Sequence, residues 1–68
     1  MIEYTNSQIE RVIDEYIHSQ RDREILKSRF IDGLTYDKLS ELYNMSDRQI
    51  KKIVYKAQDI LIKHISTY

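Results

Sequence analysis

The absence of proline and the presence of a single glycine, Gly33, constrain this chain of 68 residues more than any other feature. Proline and glycine weaken helix interiors most, and they commonly mark the turns between short strands. A chain that nearly lacks both favours helices joined by short turns. There is also no cysteine, so we expect neither a disulfide framework nor a cysteine-based metal site.

Apolar residues at helical spacing predict the first two helices. The first spans about 6–18, and Thr5 with Gln8 has the spacing of a capping box at its start. The second spans about 20–32, with Ser19 as its N-cap and the single glycine as a left-handed residue at its end.

The third helix is short and opens at Thr35, which we expect to cap it. Asn44 tolerates the left-handed conformation, and Ser46 with Gln49 forms another capping box, so we expect a tight turn before a fourth helix over about 47–65. We predict an all-α fold, a small four-helix domain of residues 1–68 with a helix-turn-helix over about 35–58. The third helix is expected to bury Leu39, Leu42 and either Tyr36 or Tyr43.

Charge is distributed unevenly along a chain whose formal net charge is zero. Residues 1–18 carry one basic and four acidic side chains, whereas residues 46–68 carry five basic and two acidic ones. On a helical wheel of the fourth helix, the apolar residues Ile50, Ile53, Val54, Ala57 and Leu61 share one arc. The opposite arc holds Arg48, Lys51, Lys52 and Tyr55, with Gln49 and Lys56 at its margin.

This basic arc has two interpretations. Charges at helical spacing usually form a solvated face, but a capped short helix, a tight turn and a longer helix with outward donors are typical of a DNA-reading helix-turn-helix. Asp47 could accept from a cytosine amino group or only favour the helix N-terminus. Tyr55 could touch a phosphate or a thymine methyl group, or lie exposed without a role.

The segment "REILKSRFIDGLTYDKLSELYNMSDRQIKKIVYKAQDIL", residues 23–61, resembles region 4 of bacterial sigma factors. The matching features are the Arg29-Phe30 pair, the Gly-Leu-Thr-Tyr segment that opens the third helix, and the Ser46 cap. The resemblance implies promoter reading by the fourth helix and phosphate contacts near the start of the third. The expected base-contacting residues are Asp47, Arg48, Gln49, Lys51 and Lys52. The expected phosphate-contacting residues are Thr35, Tyr36, Lys38, Ser46, Tyr55 and Lys56.

We therefore expect a sequence-specific regulator that binds double-stranded DNA, of the free-standing kind found in phages and mobile elements. The alternatives are a module that binds RNA polymerase and the DNA-recognition part of a phage packaging subunit. Ile62 falls on the polar arc, so with Ile65 and Tyr68 it could form a homodimer seam or fold back against the first helix.

Other functions find no support in the sequence. We expect no enzyme and no cofactor, because there is no glycine-rich phosphate loop and no triad-like arrangement of nucleophile and base. His18 and His64 stand far apart, so no metal site is expected. No apolar run approaches the roughly 20 residues of a membrane span, and we expect a cytoplasmic protein encoded by a bacterium or its phage.

Overall fold

The structure, a computed structural model, describes residues 5–65. Four helices follow one another and no strand occurs among these residues: α1 is Asn6–Tyr16, α2 is Gln20–Phe30, α3 is Tyr36–Tyr43 and α4 is Asp47–Ile65. The all-α prediction is thus confirmed. Within the same residues, none of the helices combines the length and the apolar character needed to cross a membrane.

α4 is the central helix, because it packs against each of the other three. α1 also packs on α2, and α2 on α3, so the four helices enclose one apolar core. Every helix contributes to it, as the 3.6-residue spacing of apolar side chains requires. The buried residues are Ile9, Val12, Ile13, Ile25, Leu26, Leu39, Ile50, Val54, Ala57 and Leu61.

α1 and α2 end at Tyr16 and Phe30, two residues before the predicted ends. After α1 the backbone of Ile17 is extended (φ −107°, ψ 116°), and Nε of Arg23 donates to its carbonyl oxygen at 2.5 Å. After α2 the amides of Ile31 and Asp32 both donate to the carbonyl of Lys27, at 2.9 and 3.3 Å, and Gly33 adopts the expected left-handed conformation at φ 75°. The apolar spacing in the sequence continues past Tyr16 and Phe30, but the backbone conformation ends each helix there.

α3 buries one leucine and exposes the other. Leu39 is 0% exposed, whereas Leu42 is 58% exposed, so the prediction that both are buried is wrong. The inward side of α3 is formed by Leu39 with the half-buried Tyr36 and Tyr43, both of which pack on the core. At about 100° per residue, Leu42 lies roughly 60° from Leu39, on the side away from Tyr36 and Tyr43, and falls outside that arc.

Candidate nucleic-acid interface

The turn between α3 and α4 is set by Asn44. Its backbone is left-handed, with φ 53° and ψ 48°, which asparagine adopts more readily than most residues that carry a Cβ. The amide of Met45 donates to the carbonyl of Ser40 at 3.1 Å, the bond typical of a helix that ends in a left-handed residue. The hydroxyl of Ser40 donates to the carbonyl of Met45. These bonds fix the direction in which α4 leaves α3.

The first turn of α4 is closed by a capping box. The amide of Gln49 donates to Oγ of Ser46 at 3.2 Å, and the amide of Ser46 donates to Oε1 of Gln49 at 3.0 Å. A bidentate contact with adenine needs the glutamine oxygen as an acceptor as well as its amide nitrogen as a donor. Since the capping box already uses that oxygen, the structure leaves Gln49 less suited to base contact than its neighbours.

Five side chains in the N-terminal half of α4 form one exposed surface, which we call the polar face. Its members lie around a single shallow depression, and all are exposed; Tyr55, the largest, is 52% exposed. The core residues of the same helix point to the opposite side. The polar face therefore presents three cationic side chains, one carboxylate and one phenol to solvent. Its members are Asp47, Arg48, Lys51, Lys52 and Tyr55.

The ring of Tyr36 contacts two cations, one of which, Lys51, belongs to the polar face. The guanidinium carbon of Arg29 is 4.4 Å from the ring centroid, and Nζ of Lys51 is 5.6 Å from it. Nη1 of Arg29 also donates to the carbonyl of Leu34 at 2.8 Å, which holds the segment that leads into α3. Cation–π contacts of this kind contribute about 0.5–2 kcal/mol each. They tie the start of α3 to α2 and α4.

The remaining predicted contacts are divided among three places. Thr35 caps α3 by accepting from the amide of Lys38 at 3.2 Å, and both residues are exposed. Ser46 lies at the start of α4, next to the polar face. Lys56 is exposed and lies at the margin of the polar face, next to Lys52 and beside residues 17–19 that link α1 to α2.

Two structural features near the polar face were not predicted. Arg29 supports Tyr36 across the turn after α2, and no local sequence pattern indicates a contact between residues seven positions apart in different elements. His18 and Ser19 lie close to Lys52 and Lys56 around an open cleft. Only the packing of the helices brings these residues together.

A short helix, a three-residue turn and a longer helix with exposed cations near its start define a helix-turn-helix domain. The comparison with protein families agrees, since the family model for region 4 of sigma-70 matches residues 19–61. The chain belongs to this family of DNA-binding domains. The match takes in α2, α3 and most of α4, and leaves α1 outside it. Neither the curated proteins nor the solved structures gave a significant match.

Proposed function

We propose that the protein is a sequence-specific regulator of transcription that places α4 in the major groove of double-stranded DNA. The observation that carries this proposal is the polar face, which stands at the start of the second helix of a helix-turn-helix. In such domains the N-terminal residues of that helix contact base edges. The family of the chain supports DNA as the partner.

Each member of the base-contacting set has a chemical role in the proposal. Arg48, Lys51 and Lys52 donate to the O6 and N7 atoms of guanine, and Asp47 accepts from the amino group of cytosine. Gln49 contributes through its amide nitrogen while its oxygen remains in the capping box. Good bidentate contacts discriminate against a wrong base by about 1–3 kcal/mol each.

The proposed phosphate contacts fix the position of α4 in the groove. The salt dependence counts phosphates that Lys and Arg neutralise over the whole interface. Roughly four to six of them predict a slope of about −4 to −5 when the logarithm of the binding constant is plotted against that of the salt concentration. A slope near zero would remove the electrostatic basis of the proposal. The proposed phosphate-contacting residues are Thr35, Tyr36, Lys38, Ser46, Tyr55 and Lys56.

The test is selection of a random duplex library on the purified protein at roughly 100 mM salt, in the range where phosphate contacts dominate affinity. The selected duplex is then titrated with R48A/K52A. Loss of at least about 2 kcal/mol, or roughly 30-fold in affinity, is expected. R11A/K63A is the matched control, because it removes the same charge from exposed residues outside the polar face. Equal affinities of the two double variants would refute the proposal.

The proposal includes a homodimer that binds two half-sites. Ile62 is 56% exposed and borders an open cleft together with Ile9, Phe30 and Leu61, which supports an apolar contact with a second copy. The side chain of Ile65 and the whole of Tyr68 lie outside the described residues. A palindromic selected motif and a dimer in sedimentation equilibrium, converted to monomer by I62K, are the expected results. A monomer at all concentrations and an unpaired motif would contradict them.

Binding to RNA polymerase is the second candidate function. Exposed acidic residues of α1, Glu10 and Glu15, favour it, because they offer a surface for a basic protein segment and not for DNA. Binding of purified core polymerase without DNA, abolished by E10K/E15K, would support this function. The third assignment, a phage packaging subunit, predicts a ring of many subunits in the same sedimentation experiment.

A further inference from the structure

We propose that residues 17–19, the link between α1 and α2, form a second contact site for the phosphate backbone of duplex DNA, together with Lys56. This inference rests on the proposed function and extends it to the side of α4 that faces away from α3. It starts from an open cleft of about 320 Å³ between the link and α4, here called the link cleft. Its polar lining residues are His18, Ser19, Asp22, Lys52 and Lys56.

The width of the major groove explains why both sides of α4 matter. A helix with its side chains is about 10–12 Å across, and the groove is about 12 Å wide. A helix that presents its polar face to the bases therefore has a wall of phosphates on each side. Lys51 lies on the side of α4 that faces α3, next to Tyr36. At about 100° per residue, Lys56 lies roughly 140° further around the axis, on the side of the link.

The link cleft is suited to an anion. Lys52 and Lys56 stand one helical turn apart, and neither forms an ion pair within residues 5–65. Asp22 is the one acidic residue among the residues that line the cleft, and its carboxylate is already paired with Arg21 at 3.1 Å. The cationic charge at the cleft is therefore available to a ligand.

The link itself supplies further donors. Oγ of Ser19 accepts from the amide of Asp22 at 3.3 Å, and a hydroxyl group that accepts this bond can still donate its own hydrogen. His18 is exposed next to it, and its imidazole ring carries a donor in either neutral tautomer. Donors of this kind are the usual ligands of phosphate oxygens in protein–DNA complexes. The charge and the donors together favour a phosphate of the strand that lines this wall of the groove.

The experiment scans the selected duplex with methylphosphonates. Each phosphate is replaced singly by the neutral analogue, and the affinity is measured for the wild type, H18A/K56A and K38A. For the wild type we expect two groups of sensitive phosphates, one on each wall of the groove. The loss at each position should be about 3- to 5-fold, the size of one exposed charge pair.

H18A/K56A and K38A distinguish the phosphate contacts on the two walls of the groove. In H18A/K56A the sensitivity of the link-side phosphates should disappear while that of the α3-side phosphates remains, and K38A should show the reverse. If H18A/K56A keeps the wild-type pattern, or if the wild type is sensitive on the α3 side alone, the inference is wrong while the proposed function stands. If the wild type selects no duplex, the proposed function itself fails. Circular dichroism of both variants verifies that they remain folded.

Discussion

Replacement of Leu39 by alanine tests how α3 is held in the helix-turn-helix. Leu39 is the one fully buried side chain of α3, whereas Leu42, three residues later in the same helix, is 58% exposed. L39A and L42A make the same chemical change in the same element. Only the burial of the deleted atoms differs, so each variant is the natural control for the other.

The expected magnitudes differ severalfold. Leucine-to-alanine changes in a core cost about 2–5 kcal/mol, because transfer free energy is lost and a cavity remains. A domain of this length has a total stability of about 3–10 kcal/mol, at 0.05–0.15 kcal/mol per residue. L39A should therefore remove a large part of the stability, whereas L42A should change it by less than about 0.5 kcal/mol.

The assay is urea unfolding followed by far-ultraviolet circular dichroism. With a denaturant dependence of about 1 kcal/mol per molar, L39A should lower the midpoint by about 2 M or more, and L42A by less than about 0.5 M. DNA affinity of L42A should equal that of the wild type. Equal midpoints for the two variants, or a larger loss for L42A, would refute the packing of α3 described above.

Three further changes probe the supports of the polar face. R29A should destabilise the fold by about 1–3 kcal/mol in urea unfolding, because it removes the bond to Leu34 and the contact with Tyr36; R29K should recover part of this loss. N44G should leave the stability unchanged or raise it, and N44A should lower it by about 1 kcal/mol, because φ is 53° at this position. A melting temperature lowered by N44G and raised by N44A would contradict the geometry of the turn. S46A should cost about 1 kcal/mol through loss of the cap, and an unchanged melting temperature would refute that role.

The start of each helix could be predicted from the sequence because it depends on residues close together in the chain. Thr5, Ser19, Thr35 and Ser46 each accept a bond from the backbone amide three residues later, as their side chains predicted. The turn at Asn44 was predicted for the same reason. In all these places a short polar side chain and the local backbone suffice to set the conformation.

Features that depend on packing between distant segments were not predictable. Periodicity alone did not distinguish Leu42 from Leu39, because the inner arc of a helix of eight residues depends on where α2 and α4 lie. The contacts of Tyr36 with Arg29 and Lys51 join residues of three different helices. The polar face was predicted from the 3.6-residue period, and the contacts of its side chains with DNA stay a prediction.

The separation of the two sides of α4 has a consequence for how this domain can acquire new targets. Residues that hold the fold lie on one arc, and Arg48, Lys51 and Lys52 lie on the other with no part in the core. Substitutions at Arg48 and Lys52 should alter which sequence is bound while leaving the melting temperature nearly constant, whereas substitution of Lys51 also removes its contact with Tyr36. A combinatorial library at Arg48 and Lys52 on the unchanged scaffold should therefore yield domains of similar stability that bind different DNA sequences.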